Sequence, residues 1–117
     1  MTKYNISLIP GDGIGPELMS SAKMLLESIN DKTSVKFSLN EVYAGDYALS
    51  KYGNALPEFT LDAIKKSDAC LKAPVGESAA DVIIVLRRLF DLYANIRPAK
   101  SFPNIKSISE NVDLVTV

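Results

Sequence analysis

The spacing of apolar positions changes several times along the chain, and each change marks an element. Ile6 to Ile9 is a short apolar run that reads as a strand. It ends at Pro10-Gly11-Asp12-Gly13-Ile14-Gly15-Pro16, where the glycines and prolines break regular structure. From there Leu18, Met19, Ala22, Leu25, Leu26 and Ile29 recur at helical spacing, which predicts a helix from Pro16 to about Asn30. Pro16 suits the first helical position, and Glu17 complements the positive end of the dipole. Val35, Phe37 and Leu39 then alternate with Lys36, Ser38 and Asn40, giving a second strand that runs toward Tyr43. Its polar alternate face places it near a sheet edge.

Ala44 to Tyr52 reads as a short helix closed by Gly53, and Pro57 opens another that runs to Lys66. Asp68 to Lys72 is expected to be a third strand, mostly buried, with Cys70 in the core. Pro74 to Ser78 forms a loop. Asp81 is expected to cap a helix whose apolar face is Val82, Val85, Leu86, Leu89 and Phe90. Leu92 to Ile96 reads as a further strand ended by Pro98, Ser101 to Asn111 as a polar connection, and Val112 to Val117 as a final strand. Strands alternating with helices predict an α/β fold, an open sheet with flanking helices. A last strand that stops on a β-branched apolar residue suggests that residues 1–117 are the N-terminal piece of a longer, incomplete domain. The competing reading is a true terminal strand on a sheet edge.

Composition narrows the function. The chain has 117 residues, 47% of them hydrophobic and 23% charged, which are ordinary globular values. With 13 basic and 14 acidic side chains its net charge is −1, so no chain-wide field recruits nucleic acid or an anionic membrane. One cysteine cannot form an internal disulfide, and the absence of histidine removes His-based triads and mixed His and Cys zinc sites. The apolar run near the start is too short for a signal peptide or a membrane span, so a soluble cytoplasmic protein is expected.

Gly11-x-Gly13-x-Gly15 lacks the two-residue second gap of the dinucleotide-binding fingerprint, and Pro16 follows the last glycine directly, so a Rossmann reading is declined. The loop is either a tight strand-to-helix turn or a place where backbone approaches a ligand at a helix N-terminus. The cations Lys72, Arg87, Arg88 and Arg97 are more informative. Arg87 and Arg88 point about 100° apart on their helix, so only one of them easily shares a site with a given ligand. Arg97 closes an extended segment before Pro98. A helix arginine and a strand-end arginine brought together would offer two planar forks to a substrate carrying carboxylates, whereas the competing reading is solvated surface charge. Glu17, Glu77 and Asp81 sit at loop or helix starts and form no acid and base pair. Tyr43, Tyr47, Tyr52 and Tyr93 read as packing residues, and no spacing demands a metal.

Ile9-Pro10-Gly11-Asp12-Gly13-Ile14-Gly15-Pro16-Glu17, Leu71-Lys72-Ala73-Pro74-Val75-Gly76, Leu86-Arg87-Arg88 and Leu92-Tyr93-Ala94-Asn95-Ile96-Arg97-Pro98 together resemble the isocitrate and isopropylmalate dehydrogenase family. The resemblance implies the N-terminal portion of that family's non-Rossmann fold. It also implies a metal-dependent oxidation of a 2-hydroxy di- or tricarboxylate by NAD or NADP with loss of carbon dioxide, by a homodimer using Mg2+ or Mn2+. On this basis Arg87 and Arg97 match the arginines that hold the malate-like carboxylates. Lys72, Ala73, Pro74, Val75, Gly76 and Glu77 match the loop beside the nicotinamide. The family's catalytic tyrosine and lysine, its aspartate metal ligands and its adenine loop would lie beyond Val117, so no catalytic or metal residue is assigned here.

Isocitrate enzymes place a serine and an asparagine where this chain has Asp81 and Ile83. An aspartate there repels a third carboxylate, and isoleucine cannot donate to one. Ile83 and Ile84 instead resemble the apolar residues that meet an isopropyl group, whose burial is worth about 1.5–3 kcal/mol. The stretch from Val75 to Val82 looks most like archaeal members of the isopropylmalate branch. At Ala80 it departs from the glutamate of bacterial ones. The alternatives are an isocitrate or homoisocitrate enzyme, or a non-catalytic carboxylate-binding module.

Overall fold

The computed structural model describes residues 2–117, which divide into two compact units, the first ending at Leu86 and the second running from Arg87 to Val117. In the first unit, β1 (Thr2–Ile9), α1 (Gly15–Lys32), β2 (Val35–Glu41), α2 (Asp46–Tyr52), α3 (Glu58–Lys65) and β3 (Ala69–Lys72) follow in order, and α4 (Ala79–Leu89) begins there. The three strands form a parallel sheet of order β2-β1-β3, with Leu8 opposite both Glu41 and Leu71. Parallel neighbours need crossovers, which α1 supplies between β1 and β2 and the α2–α3 pair between β2 and β3.

The central strand supplies the core: Leu8 and Ile9 are fully buried, and Leu8 packs with Met19 and Ala73, flanked by Ile6, Leu26 and Leu39. Removing a leucine side chain of this kind from water is worth about 1.5–3 kcal/mol. The polar groups buried beside it are paired. Ser7 Oγ meets Ser67 Oγ at 2.6 Å, and Thr60 donates to the Tyr43 carbonyl at 2.6 Å. α1 stops where Thr33 donates both its N–H and its hydroxyl to the Ile29 carbonyl. Asn30 then brackets Phe37, accepting its N–H at 2.6 Å and donating to its carbonyl at 3.0 Å, which seats the helix end on β2. Gly53, with φ +74°, ends α2 in the left-handed conformation.

Several expectations are corrected. β1 starts at Thr2 and β2 ends at Glu41. Leu18 and Leu25 of α1 are exposed, so its packed face is Met19 with Ala22, Leu26 and Ile29. β3 is not buried: Ala69, Cys70 and Leu71 are exposed, because among the described residues the strand pairs only with β1. Cys70 is therefore not a core residue here. Asp81 lies inside the first turn of α4 and does not cap it, and of the expected apolar face only Val82 is buried.

The second unit contains β4 (Arg97–Lys100) and β5 (Asp113–Thr116), an antiparallel pair with Arg97 opposite Thr116 and Lys100 opposite Asp113. The expected strand at Leu92–Ile96 is irregular, and strand pairing starts only at Arg97. None of its described residues is buried. Among the described residues no helix is long and apolar enough to cross a membrane.

Candidate functional site

Because β1, β2 and β3 run parallel, the loops that follow them lie at one end of the sheet. The chain leaves β1 for one side of the sheet and returns on the other, so β1 and β3 flank the switch point where open α/β sheets bind ligands. The Asp12 carboxylate ties these loops together. It accepts the N–H groups of Asp46 at 2.8 Å, Tyr47 at 2.9 Å and Gly76 at 2.9 Å, while the Asp12 N–H donates to the Pro74 carbonyl at 2.8 Å. Asp46 in turn accepts the N–H groups of Glu77 at 2.9 Å and Ser78 at 3.0 Å.

These bonds set the charge state. Desolvation pushes the Asp12 carboxyl up, but the N–H donors of Gly76, Tyr47 and Asp46 outweigh it and hold its pKa below the ordinary 3.8. The Ser78 N–H is the largest influence on Asp46, the Glu77 N–H adds to it, and its pKa is likewise lowered. Gly11 adopts φ +69°, and a Cβ there would lie 1.9 Å from the Pro74 carbonyl oxygen. The glycine loop thus serves a tight turn and close approach to the neighbouring loop.

Lys72 is half-buried at the end of β3 and donates to the Ala73 carbonyl at 2.9 Å. Ala73 is buried, Pro74 and Glu77 are exposed, and Val75 and Gly76 are half-buried. The structure joins this loop to Asp12 and Asp46, which the residue pattern alone did not single out. In both cases an aspartate follows a glycine at a loop, and that was the available signal. The N–H partners, 31 to 64 positions away in sequence, were not readable. On α4, Ile83 is half-buried and Ile84 is 47% exposed. Arg87 lies in the last turn of α4, and Arg97 opens β4 where it was expected to close a strand. Both arginines are exposed, and among the described residues neither forms an ion pair. Nor do the described residues contain a group of three or more His, Cys, Asp or Glu side chains placed to hold a metal.

Residues 5–117 match the family described as isocitrate/isopropylmalate dehydrogenase. The chain belongs to that family. A 3-isopropylmalate dehydrogenase of Saccharolobus solfataricus is 54% identical over 97% of this chain, and one of Methanothermobacter thermautotrophicus is 44% identical over 100% of it. Each alignment covers 34% of the relative, so the chain spans about a third of the length of these enzymes. The crystal structure of isocitrate dehydrogenase from Methylococcus capsulatus superposes with a TM-score of 0.80 at 39% identity, over 98% of this chain and 33% of that one. The α/β architecture read from the residue pattern is therefore the family's, and the relatives it matches include archaeal 3-isopropylmalate dehydrogenases, the branch that the resemblance pointed to.

Proposed function

We propose that the chain is the N-terminal part of a homodimeric enzyme that oxidises and decarboxylates 3-isopropylmalate with NAD or NADP, in leucine biosynthesis, and that these residues alone are inactive. Arg87 and Arg97 hold the carboxylates of the malate moiety through charge-assisted hydrogen bonds. Ile83 and Ile84 precede Arg87 by four and three positions on α4, the spacing of one helix face, and present apolar surface to the isopropyl group. Asp81 on the same helix disfavours a substrate with a third carboxylate there. The observation that carries the choice of substrate is the exposure of Ile84: an isoleucine unpacked on the arginine-bearing helix suits an alkyl ligand better than a carboxylate.

The nicotinamide cofactor, which would accept the hydride when bound, fits the Lys72–Glu77 loop in one respect. The loop is fixed by its neighbours, and its exposed Pro74 and Glu77 are left to make contacts. Among the described residues no group of His, Cys, Asp or Glu side chains is placed to hold the Mg2+ or Mn2+ that the resemblance implies, whose ligands it puts beyond Val117, and no step here passes through metal.

The test is a steady-state assay of the intact protein against both substrates. Turnover of 3-isopropylmalate with little or none of isocitrate is expected. Robust turnover of isocitrate or homoisocitrate without 3-isopropylmalate would contradict the assignment, and carboxylate binding without turnover of any of them would favour a non-catalytic module.

A further inference from the structure

We propose that Asp12 and Asp46 are positioning residues, a two-step relay that holds the Pro74–Ser78 loop in the shape the nicotinamide cofactor meets. The inference rests on the cofactor role given to that loop above.

Three features argue for a relay. First, the two carboxylates act in series: Asp12 on the β1 loop fixes the first N–H groups of α2, and Asp46, the first residue of α2, fixes the N–H groups that lead into α4. A displacement of Asp12 is thereby passed to Glu77 and Ser78. Asp12 also reaches the loop directly through the Gly76 N–H, so the loop is held from two sides. Second, room has been left for each carboxylate. A Cβ on Gly45 would lie 2.1 Å from Asp12 Oδ2, and one on Gly76 would lie 1.8 Å from Asp46 Oδ2. Third, successive N–H groups in a loop before a helix would ordinarily make a concavity for an anionic ligand. Here carboxylates of the chain itself occupy that role at Gly76, Glu77 and Ser78. These amides are therefore not the groups that bind a cofactor phosphate. The carboxylates set the loop's shape, and its side chains and carbonyls remain for contact. Partners of this kind, one step removed from a ligand, can matter tenfold or more where they fix its immediate contacts.

The test compares the intact wild-type protein with Asp46→Ala and Asp46→Asn, measuring amide hydrogen exchange, NAD affinity by titration calorimetry, and kcat. In Asp46→Ala the Glu77 and Ser78 amides should exchange at least about tenfold faster while those of Leu8 and Ile9 keep their protection, and NAD should bind about tenfold more weakly with kcat changed less. Asp46→Asn keeps one acceptor oxygen and should fall between the two, and it serves alone should the alanine variant not fold. Unchanged exchange at Glu77 and Ser78 would overturn the relay. Faster exchange with unchanged NAD affinity would reduce it to a structural clasp and overturn the positioning role. A wild-type protein that binds NAD but turns over no 2-hydroxy acid would sink the proposed activity while the affinity comparison still decided the relay. Binding of neither NAD nor NADP by the wild type would remove both.

Discussion

In the first unit, β1 lies between two parallel neighbours, Leu8 and Ile9 are fully buried, and five N–H groups converge on two carboxylates at the loops. In the second unit, β4 and β5 pair only with each other among the described residues. An exposed Lys100–Asp113 ion pair at 2.8 Å joins them, and Tyr93, Ile108 and Val117 are almost wholly exposed. A lone two-stranded ribbon is marginal in water, and exposed ion pairs add about 0–1 kcal/mol. The contrast separates two jobs. Shape is built where a core and paired carboxylates can hold it, whereas the substrate charges assigned to Arg87 and Arg97 stand in a region with little packing of its own.

The largest expected effect comes from the core. Leu8→Ala should cost about 2–5 kcal/mol of unfolding free energy in a denaturant titration, whereas Leu114→Ala on β5 should stay within about 0.5 kcal/mol. Similar losses at the two positions would break the contrast. Acid should come next. The folded-state pKa values of Asp12 and Asp46 lie below the ordinary 3.8, so their contribution is complete above that value and is lost as pH falls through the lowered ones. Unfolding free energy followed against pH should therefore lose this contribution only below about pH 4, and Asp12→Asn together with Asp46→Asn should flatten that decline. An equal decline in the double variant would mean that other groups carry it.

Cys70 sharpens the reading of β3. The residue is exposed, yet desolvation around its thiol raises its pKa above the ordinary 9.0, with Lys72 pulling the other way. In the isolated chain, iodoacetamide should label it without denaturant, slowly at neutral pH and faster as pH rises. Protection until unfolding would restore the buried-strand expectation. The smallest effect is expected for Lys100→Ala, at most about 1 kcal/mol by the same denaturant titration. A larger loss would give the ribbon more internal strength than its surface suggests.

Local signals were legible wherever the physics was local. Pro16, Glu17 and the helical spacing from Leu18 located α1, and Gly53 marked the end of α2 in the left-handed conformation it was chosen for. The polar alternate face of β2 agrees with its place at the end of the three-stranded sheet among the described residues. Leu92–Ile96 failed because an apolar run records a tendency to be buried and not a partner strand, and pairing began instead at Arg97. The burial of β3 failed for the same reason, since exposure of a strand depends on what pairs beside it. Among the candidate site residues, the arginines stood out because charge is visible residue by residue, whereas Ile83 and Ile84 were singled out only by the family resemblance. Asp12 and Asp46 did not, because their importance comes from N–H groups on loops far away in sequence.

The most direct test of the division between shape and charge is calorimetric titration of 3-isopropylmalate into the intact protein carrying Arg87→Ala or Arg97→Ala. Losing a charged hydrogen bond worth about 1.5–3 kcal/mol should weaken binding roughly 10- to 150-fold, with the unfolding midpoint within about 2 °C of wild type. Unchanged affinity in either variant, or a loss that appears only with a collapse of the melting transition, would contradict the account.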